Sequence, residues 1–346
     1  MRISLTADFY HEDGLPKFED FGLDMLGDQI HVTRFDEHRT EITPDQLIGC
    51  AGALVLTPKV TAASVSQSRD LLAFGRFGVG YDTVDVEACT DQDVLVMITA
   101  GAVDRPVAEA TVGWMIALTH HFIAKDRLVR TGRWDERTQY MGCELRDRTL
   151  GVIGLGGIGR KLVSLLKGFD MNRPLVCDPF VPASVVQEIG AEHVSLETLL
   201  ANADFVSINC PLTKQTRGLI GADEIALMKS DAYLMNTARG GIVDEQALFE
   251  ALLNKRIAGA ALDCFDSEPV TEPHMFGQLD NVLLAPHCIA WTAELFRDIG
   301  RTACQSMLDL SQGRRPKGVL NPELFDRQSF RVKWSRMINR PLEELQ

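Results

Sequence analysis

Residues 148–180 read RTLGVIGLGGIGRKLVSLLKGFDMNRPLVCDPF. An apolar β-branched run, TLGVIG, meets the glycine cluster Gly154-Leu-Gly156-Gly157-Ile158-Gly159, and a helix-like stretch, GIGRKLVSLLKGF, follows at once. A lone G-x-G-x-x-G is a weak signal. Here it has a strand before it, a helix after it, and an acid, Asp178, about 20 residues further on at the end of a second strand, PLVCD. The three glycines have separate tasks: a tight turn, close backbone approach to a pyrophosphate, and helix–strand packing. The helix start adds free N–H groups and a positive dipole end for phosphate. These residues predict a dinucleotide site, with Asp178 accepting from a ribose diol. Pro-Phe-Val-Pro follows Asp178, with no Arg or Lys to hold a 2′-phosphate. The expected cofactor is therefore NAD rather than NADP.

The same alternation extends along the chain. Strand candidates RISLTAD, IHVTRF, GALVLT and VLVMIT come first; DFVSINC, AYLMNTA, IAGAALDCF and NVLLAP follow the glycine motif. Helical stretches between them argue for an α/β fold with largely parallel sheets. Thr43 before Pro44 and Asp244 before EQALFEALLNKR read as helix caps. A single long helix is expected from Asp104, its cap, to about Thr131, with Val107, Thr111, Trp114, Leu118 and Phe122 on its buried face. Residues 293–313 predict another helix. The tail from 314 to 346 is basic and shows little periodicity.

Composition narrows the class. The chain has 346 residues, 45% hydrophobic and 24% charged, enough for two domains with separate cores. A net charge of −13 argues against nucleic acid and anionic membrane as partners. The start, MRISLTADFYHEDG, does not read as a signal peptide, and no apolar run has the length of a membrane span. Eight scattered cysteines without a C-x-x-C pair suit a reducing, cytoplasmic setting with no disulfide scaffold and no metal site. His120 and His121 are adjacent, a poor spacing for a metal.

Three polar residues follow strands of the second series: Arg239 in MNTARGGIVDE, Glu268 in LDCFDSEP and His287 in APHCIAWT. In an open α/β sheet, ligands bind outside the carboxyl ends of the strands. An arginine grips a carboxylate in bidentate fashion, a histidine exchanges a proton near neutrality, and a carboxylate beside it favours its charged form. That set suits hydride transfer at a carbonyl next to a carboxylate. Cys288 beside His287 lacks a second base and reads as packing.

The chain resembles the D-isomer-specific 2-hydroxyacid dehydrogenase family. The resemblance rests on FGVGYDTVD (77–85), VAE (107–109), GLGGIG, NCPLT (209–213), NTARGGIVDE, LDCFDSEP and Pro286-His287, in the family's order over roughly residues 50 to 320. It implies two Rossmann-like domains with parallel sheets, the NAD domain (99–292) inserted into a discontinuous substrate domain (1–98 and 293–346). It implies that His287 is the acid/base, Glu268 its partner and Arg239 a substrate ligand. The backbone at Val79 and Gly80 would meet the substrate carboxylate, and Asp263 the nicotinamide amide. Cys210, Pro211, Thr237 and Ala238 would line the cofactor cleft together with Arg239 and His287. The implied reaction interconverts a 2-oxo acid and a D-2-hydroxy acid, and a homodimer is expected. Trp291, four residues after His287, reads either as hinge packing or as a wall of the substrate pocket. The chain departs from the family at Ile98-Thr-Ala100-Gly, where N-T-P-G is frequent, and at Ile289-Ala290, where small residues are usual. Both departures leave the substrate open. An NAD(H)-sensing binding protein of the same fold and a phosphite-type dehydrogenase are the alternative readings.

Overall fold

The computed structural model describes residues 1–346 in two units, Met1–Val103 with Trp291–Gln346, and Asp104–Ala290. The first unit holds a five-stranded sheet of β1 (Arg2–Leu5), β2 (His31–Arg34), β3 (Gly52–Val55), β4 (Ala73–Arg76) and β5 (Leu95–Ile98), in the order β2-β1-β3-β4-β5. Every pairing is parallel. β3 is buried on both faces, as its unbroken apolar run requires of a parallel strand.

The second unit holds seven parallel strands: β6 (Leu150–Ile153), β7 (Leu175–Cys177), β8 (Glu192–His193), β9 (Phe205–Ile208), β10 (Tyr233–Asn236), β11 (Gly259–Leu262) and β12 (Val282–Leu284). Their order is β12-β11-β10-β9-β6-β7-β8. β6 is flanked by β7 on one side and β9 on the other, so the chain leaves the glycine-bearing strand in both directions. That reversal is the topological switch point at which such sheets bind ligands. Two apolar layers cover the sheet, one around Leu200, Leu234 and Leu248, the other around Met115, Val152 and Leu162. β8 has only two residues, both exposed, and carried no apolar signal in the sequence.

The expected long helix is broken. Asp104–Thr119 and Phe122–Arg130 are separate helices, and His121 between them has φ +54°. The periodicity carried across this break because Phe122 keeps helical spacing from Leu118, yet Phe122 is exposed. The tail also differs from expectation: Gln328–Ile338 is a helix. It buries Phe330 and Trp334 beside Phe325, and the Trp334 indole donates to Leu310 O at 2.8 Å. Two aromatics four residues apart form its packed stripe, too short a pattern to stand out among basic residues. No helix is long and apolar enough to cross a membrane.

Candidate active site

The glycine motif turns sharply out of β6. Gly154 has φ +90°, and a Cβ there would lie 2.7 Å from the Cys210 nitrogen. A Cβ on Gly159 would lie 2.5 Å from Gly154 O, so this glycine lets the helix sit against the strand end. Gly156 differs: a side chain there would meet nothing within 4 Å. Its backbone borders open space at the start of the helix Gly157–Leu165, whose N-terminus has no side-chain cap. Free amides, a positive helix end and an open approach fit a pyrophosphate. Asp178 follows β7, its Oδ2 accepting from the Leu155 amide at 2.7 Å and its Oδ1 from the Phe180 amide at 2.9 Å. The carboxylate is thereby fixed beside the glycine turn. These residues fit a dinucleotide. Cys210 and Pro211 follow β9, and Thr237, Ala238 and Arg239 follow β10, all at the carboxyl edge. Burial pushes the Cys210 thiol up to about 11, so it remains a neutral packing group.

The other strand ends bring the acid/base candidates together. His287 follows β12 with φ +54°, a left-handed conformation that non-glycine residues seldom adopt. Asp263 holds the segment beyond it: its Oδ1 accepts from the amides of Cys288 at 2.8 Å and Ile289 at 3.1 Å. Burial nevertheless raises the Asp263 carboxyl above its ordinary value, against the lowering effect of those two amides and of His287. His287 Nδ1 lies 2.7 Å from Glu268 Oε2. The other Glu268 oxygen accepts from the Phe265 amide at 2.9 Å, which fixes the carboxylate's rotation. Partial burial works to raise the Glu268 carboxyl. The bonds from His287 and the Phe265 amide, with the charge of Arg239, outweigh it and leave the carboxyl below its usual value.

Arg239 is half-buried, and its guanidinium donates to Ala238 O at 2.7 Å. The Asn236 amide group donates to Arg239 O at 2.9 Å, anchoring the loop to β10. A Cβ on Gly240 would lie 1.9 Å from Phe265 O. The loop that carries Arg239 therefore rests directly on the turn that carries Glu268. Cys288 is raised by burial and by the charge of Asp263, in keeping with packing.

Val79, Gly80 and Trp291 belong to the other unit. Val79 and Gly80 are half-buried in the loop after β4, where Gly78 has φ +137° and its carbonyl accepts from the Thr99 amide at 3.0 Å. Trp291 precedes the helix Ala293–Ser311 and stands edge-on to Phe296 at 5.2 Å. It is 62% exposed. With Asp8, Tyr10, Arg34 and Phe18 it borders a cavity of ≈ 840 Å³. Residue-type reasoning passed over Glu245 and His274, which adjoin the Glu268 turn. Glu245 stood in the sequence as an ordinary first residue of a helix, and no local pattern linked it to His274.

A family model described as D-isomer specific 2-hydroxyacid dehydrogenase, NAD binding domain, matches residues 112–288. The D-3-phosphoglycerate dehydrogenase of Methanocaldococcus jannaschii is 36% identical over 323 residues, covering 92% of this chain and 59% of that protein. The corresponding enzyme of Archaeoglobus fulgidus is 37% identical over 76% of this chain and 50% of its own length. The chain thus spans little more than half of these two relatives. The glyoxylate reductase of Thermofilum pendens is 35% identical over 78% of this chain and 80% of its own. Among solved structures, a glyoxylate reductase from Paecilomyes thermophila superposes with a TM-score of 0.80 at 25% identity, covering 93% of this chain and 98% of that one. The chain belongs to the D-isomer specific 2-hydroxyacid dehydrogenase family.

Proposed function

We propose that the protein is an NAD-dependent oxidoreductase that interconverts a 2-oxo acid and a D-2-hydroxy acid, with His287 as the acid/base. The observation that carries this reading is the 2.7 Å bond between His287 Nδ1 and Glu268 Oε2, at the carboxyl edge of the sheet that bears the glycine turn. A carboxylate on Nδ1 orients the ring and leaves Nε2 as the nitrogen that exchanges a proton with substrate. NAD, when bound, supplies or accepts the hydride. In reduction, His287 donates a proton to the carbonyl oxygen while Glu268 stabilises the imidazolium. In oxidation, neutral His287 takes the hydroxyl proton. Arg239 binds the substrate carboxylate and polarises the oxo group, with the amides at Val79 and Gly80 as further donors. Gly154, Gly156, Gly157, Ile158 and Gly159 hold the pyrophosphate. Cys210, Pro211, Thr237, Ala238 and Asp263 would border the nucleotide, with Asp263 holding the nicotinamide amide.

Asp178 selects NAD. A carboxylate offers about four acceptor positions, so two backbone bonds leave room for ribose hydroxyls, whereas a 2′-phosphate would be repelled. The NAD domain expected over 99–292 corresponds in this reading to the unit 104–290, and the remaining unit receives the substrate. Trp291, on the cavity wall, either bears on the substrate's side chain or only packs against Phe296. Phe122, Ile123, Val129, Trp134 and Met141 are large apolar residues exposed within one stretch of the NAD domain. Such exposure suits a face covered by a second copy of the chain. The eight cysteines are all free, in keeping with a cytoplasmic setting.

The test is NADH absorbance with glyoxylate, hydroxypyruvate, pyruvate and phenylpyruvate. Turnover of at least one supports the reading. Tight NADH binding without turnover of any would favour a sensor instead. Trp291→Ala then separates two roles. A changed kcat/KM ratio between phenylpyruvate and glyoxylate supports a pocket wall, whereas an equal fall for both leaves only packing.

A further inference from the structure

The turn that carries Glu268 is held by a second glutamate. The Phe265 amide donates to Glu268 Oε1 at 2.9 Å, and the next amide, that of Asp266, donates to Glu245 Oε1 at 2.8 Å. Glu245 is the first residue of the helix Glu245–Leu253. A glutamate there gains from the helix dipole while facing solvent. This one instead folds back and is only 16% exposed. Its other oxygen, Oε2, lies 3.4 Å from His274 Nε2. The His274 ring packs against Phe265, at 4.8 Å, and Phe276, at 5.2 Å, and its Nδ1 is buried without a partner. A buried polar atom left unpaired costs free energy, and its retention needs a reason beyond packing.

We propose that Glu245 and His274 are positioning residues for the Glu268–His287 pair, acting through the Phe265–Asp266 peptide. This proposal rests on the reading of His287 as acid/base. Two glutamate–histidine pairs are joined through consecutive backbone amides. Displacing Asp266 moves the neighbouring amide that fixes Glu268, and with it the carboxylate on His287. The Arg239 loop is tied to the same place, because Gly240 leaves no room for even a methyl group against Phe265 O. The peptide that Glu245 holds thus bears on the arginine loop through Phe265 O, and the peptide just before it fixes the Glu268 carboxylate through the Phe265 amide. Misplacement of about 1 Å far from the reacting atoms can lower a rate 10²-fold.

The experiment uses the full chain and a 2-oxo acid it reduces. Glu245→Ala, Glu245→Gln and His274→Phe are made alone and in a Glu268→Gln background. The readouts are kcat, KM, NADH dissociation constant, pH–rate profile and melting temperature. Glu245→Ala is expected to lower kcat about 10- to 100-fold and to raise KM, with NADH affinity little changed. It should move the profile in the same direction as Glu268→Gln. Glu245→Gln keeps an oxygen for the Asp266 amide and should recover most of kcat. In the Glu268→Gln background, Glu245→Ala should cost less than it does in wild type, since the carboxylate is gone and only the Arg239 loop is left to displace. Losses that multiply in full, or a Glu245→Ala protein with wild-type kcat and profile, would overturn the proposal. If Glu245→Ala does not fold, His274→Phe carries the same cycle, and equal effects in both backgrounds would overturn it. His287→Asn tests the underlying reading separately. Retained turnover in that variant removes the acid/base assignment whatever the Glu245 variants do.

Discussion

The two glutamate–histidine pairs of the NAD domain contain the same groups and differ in their surroundings. Glu268 and His287 lie 2.7 Å apart with side chains 33% and 43% exposed. Glu245 and His274 lie 3.4 Å apart at 16% and 20%, with the imidazole packed against two phenylalanine rings. An acid/base must reach its substrate and release its proton, so its ring has to face open space. A positioning pair needs the opposite, because enclosure is what prevents a side chain from changing rotamer. In the proposed reading, burial more than residue type separates the group that reacts from the group that holds.

The most severe way to test this comparison is to remove the exposed imidazole. His287→Asn is expected to lower kcat by about 10²–10⁴-fold with NADH affinity nearly unchanged, measured by steady-state kinetics and fluorescence titration. A variant that keeps most of its turnover would place the proton elsewhere.

Gly240→Ala strikes the Phe265–Asp266 peptide, which Glu245 holds and which adjoins the amide that fixes Glu268. Its methyl group would have to displace Phe265 O from 1.9 Å, and overpacking of this kind costs about 1–3 kcal/mol. Lower melting temperature and a rate loss shared by substrate binding and turnover are expected. A protein that melts and turns over like wild type would show that the two loops are not tied.

Glu268→Gln sharpens the comparison through pH. The Glu268 carboxyl lies below its usual value despite burial, through its bonds with His287 and the Phe265 amide. Its depressed folded value means that the pair's contribution to stability is present above the ordinary carboxylate range. That contribution is lost as pH falls through the folded value. At neutral pH the carboxylate is therefore charged and favours the imidazolium. Replacing it with an amide should move the acid limb of the oxidation profile to lower pH. The loss of stability on acidification should also become shallower. An unmoved limb would mean that the 2.7 Å bond does not govern proton exchange.

The smallest effect is expected at Asp178, a carboxylate held by two backbone amides instead of an imidazole. Asp178→Ser should narrow the preference for NADH over NADPH about tenfold while kcat with NADH changes little. Equal use of both cofactors by the wild type would overturn the selectivity.

Legibility in the sequence followed the range of the interaction. The glycine turn, the acid after β7 and the polar residues after β10, β11 and β12 could be read because each is set by short-range geometry. A strand that must end in a tight turn needs glycine at Gly154, and a parallel strand buried on both faces needs an apolar run. The cap at Asp244 was legible on the same basis: its Oδ1 accepts from the Ala247 amide at 2.9 Å, three residues away. The break at His120–His121 was not legible, since apolar spacing continues through it. The helix in the tail was also missed, because its stability comes from docking Phe330 and Trp334 rather than from its own periodicity.

Residue order by itself determined that this chain forms parallel α/β sheets, that Gly154 to Gly159 turn into a helix, and that Arg239, Glu268 and His287 follow strands at one edge. Those outcomes depend on steric limits and periodicities acting over a few residues. Only the tertiary structure decided which glutamate reaches which histidine, for Glu245 and His274 are 29 positions apart and Glu268 and His287 are 19. Their pairing depends on strand order and on how deeply each turn is covered. Such long-range relations are fixed when the sheet assembles and leave no local pattern in the chain.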